Sequence, residues 1–101
     1  MDENIPVPLK GFIIGHSVAS VRDMNWLGTK NGKLIALAEA AFDCLLTLDQ
    51  GMQHQNDLRS KKMGFLVVRA KSNRMGDLTP LIPDILRGLN AVGPGKVTIV
   101  P

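Results

Sequence analysis

The sequence is short of several residue types, and each shortage closes off a class of protein. A single cysteine, Cys44, occurs in 101 residues, so no internal disulfide can staple the fold. Its apolar neighbours predict a buried, reduced thiol, with the cytoplasm as the expected compartment. Aromatic residues make up 4% and tyrosine is missing altogether, which argues against a base-stacking platform for nucleic acid. No apolar run approaches the roughly 20 residues that a membrane span needs, so no membrane association is expected. The start, Met1-Asp2-Glu3-Asn4, lacks the basic-then-apolar order of a signal peptide. His16 and His54 stand alone, without a second histidine or cysteine at metal-ligand spacing. Ser-His-Asp catalysis has no local support, and the glycines follow neither a phosphate-loop nor a dinucleotide pattern.

What remains is an ordinary globular composition. Hydrophobic residues make up 45% and charged residues 21%, enough for one domain over residues 1–101 with a modest core. The formal charge is +3 and the pI about 9.4. Basic residues recur at Arg59-Ser60-Lys61-Lys62, at Arg69-Ala70-Lys71 and at Arg74, with Lys30 and Lys33 apart. So small an excess would assist a polyanion such as RNA, and it equally describes a solvated surface.

Apolar runs set the expected order of elements. Cys44 to Thr47 has no polar alternation, which suits a strand buried on both faces and central to a parallel sheet. Phe65 to Val68 reads as a second buried strand, and Lys96 to Val100 as the last. His16 to Val21 alternates valine with small residues and predicts a further strand. Two prolines near Ile5-Pro6-Val7-Pro8 allow at most a short helix before Gly11. Leu34, Ile35, Leu37, Ala38, Ala41 and Phe42 share one helical face, with Asn31 as the expected N-cap. Gln50 to Lys62 reads as a loop with a short helix, and Ala70 to Gly76 as a polar loop. Thr79-Pro80 predicts the start of a second helix, whose apolar face includes Leu81, Ile82, Ile85, Leu86, Leu89 and Val92, stopped by Gly93-Pro94. The order points to an α/β fold with a mostly parallel sheet.

Ligands of open parallel sheets bind beyond the carboxyl ends of the strands. Asp49 falls at such an end, and Asp2-Glu3 is the other acidic group. Paired carboxylates there can hold Mg²⁺ or Mn²⁺, although an aspartate after a strand is also a common turn-former or cap. Lys30-Asn31-Gly32-Lys33 opens a helix, where free amides and flanking lysines favour a phosphate. Plain capping by Asn31 accounts for the same residues.

Asp2-Glu3-Asn4-Ile5-Pro6, Lys30-Asn31-Gly32, Phe42-Asp43, Leu45-Leu46-Thr47-Leu48-Asp49-Gln50 and Pro94-Gly95-Lys96-Val97 follow one another along nearly the whole chain. In order and spacing they resemble the short, uncharacterised bacterial PIN-like proteins described as toxin components. The resemblance implies a three-layer α/β/α fold and metal-dependent cleavage of RNA in a toxin–antitoxin setting. It implies Asp2 and Asp49 as catalytic acids and ligands of Mg²⁺ or Mn²⁺, with Glu3 and Gln50 as accessories. Lys30, Asn31 and Gly32 would position a phosphate. Expected partners are RNA and an antitoxin-like protein.

The chain departs from that pattern at named positions. Asn31 stands where many relatives carry an acid, Lys33 where close relatives have Glu, and Gly51 where a further acid is common. These departures support a second reading, a catalytically silent PIN-like module that binds a protein or RNA. Relatives also place several apolar residues before Asp-Glu-Asn, so the opening strand here reads as truncated. An open sheet edge follows from that, and with it an expected homodimer.

Overall fold

The computed structural model describes residues 1–51 and 58–100. Three strands form one parallel sheet: β1 (Cys44–Thr47), β2 (Gly64–Val68) and β3 (Val97–Val100), in the order β1-β2-β3. Leu45 lies opposite Phe65, and Phe65 opposite Val97. The middle strand is therefore β2, buried along its whole length. Cys44–Thr47, expected at the centre, has a ladder partner on one side only. Both runs lack polar alternation because side chains on both faces meet apolar cover.

Alternate side chains feed two separate clusters. Leu45 and Phe65 pack with Ile35 and Ala38 of helix α1 (Asn31–Glu39), together with Leu58 and Met63. Leu46, Leu66, Val68 and Val100 point the other way, toward Leu78, Ile85, Ile5 and Leu9. The latter group brings in helices α2 (Met75–Leu78) and α3 (Ile82–Ala91) and a 3-10 helix, Val7–Phe12. This α/β arrangement bears out the parallel sheet expected from the unbroken apolar runs.

Several local expectations need correction. Helix α1 has Lys30 rather than Asn31 at its N-cap: Lys30 is extended, its carbonyl accepts the Leu34 N–H at 2.8 Å, and Asn31 is the first helical residue. The helix also stops at Glu39, leaving Ala41 and Phe42 in the turn that follows. Thr79 is not the N-cap of the α-helix but the first residue of a 3-10 turn. Met75–Leu78, Thr79–Leu81 and Ile82–Ala91 form one helical run that starts after Arg74. Pro80 and Pro83 lack the amides that would continue a single ladder, so a 3-10 turn separates the two α segments. Thr79 instead donates its hydroxyl to the Met75 carbonyl at 2.6 Å. His54 and the rest of residues 52–57 in the Gln50 to Lys62 loop lie outside the described residues.

His16 to Val21 is not a strand. It is bonded instead to Met1: the Met1 ammonium donates to the Ala19 carbonyl at 2.8 Å, and the Val21 N–H donates to the Met1 carbonyl at 2.9 Å. On the other side the Asp2 N–H donates to the Leu46 carbonyl at 2.9 Å. Met1-Asp2 thus lies between β1 and the 19–21 segment. A groove of about 340 Å³ continues from it, lined by Val18, Ala38, Cys44 and Leu46 among others. Burial pushes the Cys44 thiol up to about 11, so it stays protonated at neutral pH.

Candidate functional site at the carboxyl end of the sheet

Thr47 is the last residue of β1 and is 0% exposed. A hydroxyl in that position needs partners, because an unpaired buried polar group is costly. It has two. Its Oγ1 donates to Asp2 Oδ2 at 2.6 Å and accepts the Asp49 N–H at 3.0 Å. One hydroxyl therefore joins the first acidic residue to the backbone of the second. Those two lie 47 positions apart in the chain, and the fold brings them to the same end of the sheet.

Each carboxylate is further fixed by its own loop. Asp2, 5% exposed, accepts the Glu3 N–H on Oδ1 at 2.6 Å. Asp49, half-buried, accepts the Gly51 N–H on Oδ1 at 2.9 Å, which closes a turn of the kind aspartate favours after a strand. Asp49 thus forms the turn, and that turn holds its carboxylate at the strand end. Gln50 beside it is exposed.

The remaining expected residues collect around this pair without joining it. Glu3 is exposed and its Oε2 accepts the Gly28 N–H at 3.2 Å. That bond ties the Asp2 loop to the segment leading into α1. Residues 40–43 return the chain from α1 to β1, so α1 runs back along the strand and begins at the carboxyl end. Its far end is marked by Glu39, which accepts the Lys62 N–H at 2.8 Å just before β2. Lys30 and Gly32 are therefore at the same end of the sheet as Asp49, and both are exposed.

Support also comes from outside. Ser20 and Asp23 exchange bonds, with the Ser20 N–H reaching Asp23 Oδ2 at 2.9 Å and the Asp23 N–H reaching Ser20 Oγ at 3.0 Å. Lys10 donates to the same carboxylate at 2.8 Å. The Lys10 bond, then the Ser20 amide, hold the Asp23 carboxyl down at about 2. This closed loop fixes the segment that pairs with Met1. Burial also holds the Met1 ammonium below its ordinary value, with the Asp2 carboxylate opposing that effect.

Among the described residues, no three His, Cys, Asp or Glu side chains gather in one place. Two carboxylates at a strand end still fit a hydrated Mg²⁺ or Mn²⁺, since such ions take oxygen ligands and keep most of their waters. Thr47 was absent from the expected site residues. Its signal was legible: a hydroxyl closing an otherwise apolar strand, two residues before an aspartate.

No family model, curated protein or solved structure matches this chain. Among the described residues, no helix is long and apolar enough to cross a membrane.

Proposed function

We propose that the chain is a PIN-like domain of three-layer α/β/α type that cleaves RNA with the help of Mg²⁺ or Mn²⁺, as toxin components do. One observation supports this reading above the others: Asp2 and Asp49, distant in sequence, are coupled through the buried Thr47 hydroxyl at the carboxyl end of a parallel sheet. Asp2 and Asp49 would hold the ion. When bound, a divalent ion supplies an activated water and neutralises charge developing on a phosphate. Thr47 keeps one Asp2 oxygen oriented, and the Gly51 amide does the same for Asp49. Lys30 and Gly32, with Asn31, would take the phosphate on the flank.

A second reading, the silent module that binds a protein or RNA partner, is favoured by the count of acids. No third carboxylate gathers with the pair among the described residues. Titration calorimetry with Mn²⁺ and a cleavage assay on single-stranded RNA separate the two. The nuclease reading expects Mn²⁺ binding that weakens about tenfold or more in Asp49→Asn, together with cleavage lost in the same variant. Metal binding without cleavage would favour the silent module. Cleavage that persists in both Asp2→Asn and Asp49→Asn would reject this assignment of the site.

A further inference from the structure

Cations of this chain are not all employed alike. Lys10 is paired with Asp23, and Arg87 with Asp84. Arg69, Lys71 and Arg74 are exposed, and among the described residues none of them has an ion pair. Asp77, the acid nearest to them in sequence, is occupied by the Ser72 hydroxyl at 2.6 Å. Among the described residues these three cations therefore have no carboxylate in an ion pair with them.

Their position is as important as their charge. Arg69 follows the carboxyl end of β2, and its N–H still donates to the Val100 carbonyl at 2.8 Å. The loop beyond it is anchored at both ends. Ser72 Oγ accepts the Arg74 N–H at 3.0 Å, and Asn73 Nδ2 donates to the Asn4 carbonyl at 3.1 Å. That last bond joins the 69–74 loop to the loop that carries Asp2. On the opposite flank, Glu3 and Gly28 tie the same acidic loop to the Lys30 end of α1. The Asp2 loop is thus tied on one side to the 69–74 loop and on the other to the segment leading into Lys30.

We infer that Arg69, Lys71 and Arg74 form a rim that holds the phosphate backbone of a single-stranded RNA beside Asp2 and Asp49. The inference rests on the nuclease reading for the choice of RNA as partner. An acidic protein would meet the same cations, and it is the RNA cleavage proposed above that selects the nucleic acid over it. A phosphodiester chain can lay successive phosphates along the three cations, which needs no ion at the acidic pair. With so few aromatic residues, stacking contributes little, so binding should be tolerant of sequence and sensitive to salt.

The test is binding of fluorescein-labelled oligouridylate, followed by anisotropy in EDTA across a series of salt concentrations. Neither metal nor cleavage enters that measurement. Three phosphate contacts on single-stranded RNA predict that the combined Arg69→Ala, Lys71→Ala, Arg74→Ala protein lowers the slope of log K against log salt by about 2. At ~0.1 M salt this corresponds to roughly a hundredfold loss of affinity. Lys62→Ala with Lys96→Ala, exposed cations at the other end of the sheet, should change affinity by less than about twofold. Thermal melts of both proteins establish that they fold. Equal losses in the two variants, an unchanged slope in the triple variant, or no binding by the unmodified chain would each overturn the inference. Rim-dependent binding without cleavage would defeat the nuclease reading while leaving the rim in place. Cleavage with an unaffected triple variant would do the reverse.

Discussion

The two ends of the sheet are built by different means. At the amino end, backbone meets backbone with no space to spare. Gly95 has φ +70°, and a Cβ there would lie 2.4 Å from the Arg59 carbonyl oxygen. At Gly64, the first residue of β2, a Cβ would lie 2.6 Å from Val92 Cγ2 and 2.8 Å from the Gly93 oxygen. The carboxyl end is instead held by side chains: Thr47 to Asp2, Asp49 to Gly51, Asn73 to Asn4 and Glu3 to Gly28. A backbone contact cannot be altered without moving the fold. Side-chain contacts can be exchanged one at a time, which is why the chemistry of this fold is expected at the carboxyl end.

That contrast sets the size of the expected effects. Gly95→Ala should be the most damaging change, because it adds left-handed strain to a collision with a carbonyl oxygen that cannot swing away. A loss of about 3 kcal/mol or more in denaturant unfolding is expected. A variant within about 0.5 kcal/mol of the unmodified chain would show that the amino end has more slack than its geometry allows.

Thr47→Val should come next. It leaves Asp2 buried with one donor fewer and removes the Thr47 hydroxyl that the Asp49 N–H donates to, at a cost of about 2 kcal/mol. Thr47→Ser keeps the hydroxyl and should lose only about 1 kcal/mol, from the missing methyl. Equal stability of the Val and Ser proteins would mean that packing, not the hydroxyl, joins the two halves of the site.

The smallest effect belongs to the outer support at Asp23. Its carboxyl lies at about 2 in the folded chain against 3.8 ordinarily. A depressed value means that the stability it contributes is complete above about pH 4 and is lost as pH falls toward 2. Asp23→Asn should flatten that limb of the unfolding profile. If both proteins lose stability in parallel between those pH values, the Lys10 and Ser20 contacts do not bear on folding.

Much of this was readable from residues in order. Unbroken apolar runs at Cys44–Thr47 and Phe65–Val68 identified the buried strands, because nothing polar in them could face water. Gly93-Pro94 marked the end of the last helix, since neither residue continues an α ladder. The Thr79 expectation failed for a local reason: proline within a helical run can divide it as well as begin it, and only packing against Leu78 and Ile85 shows which occurs. His16 to Val21 had the alternation of a strand, but a strand also requires a partner, and Met1 is the residue that runs beside it.

By itself the sequence determined the three strands, the parallel α/β class and the place of Asp49 after a strand. Local patterning reports which side chains must be hidden from water, and those statements follow from it. Tertiary structure decided that β2 rather than β1 lies in the middle of the three strands, that Thr47 joins Asp2 to Asp49, and that Asn73 ties the 69–74 loop to Asn4 in the loop that carries Asp2. Each of these depends on a hydrogen bond or a strand neighbour between residues far apart in the chain. The energy of such a contact is set by distance in space, and no spacing along the sequence encodes that distance.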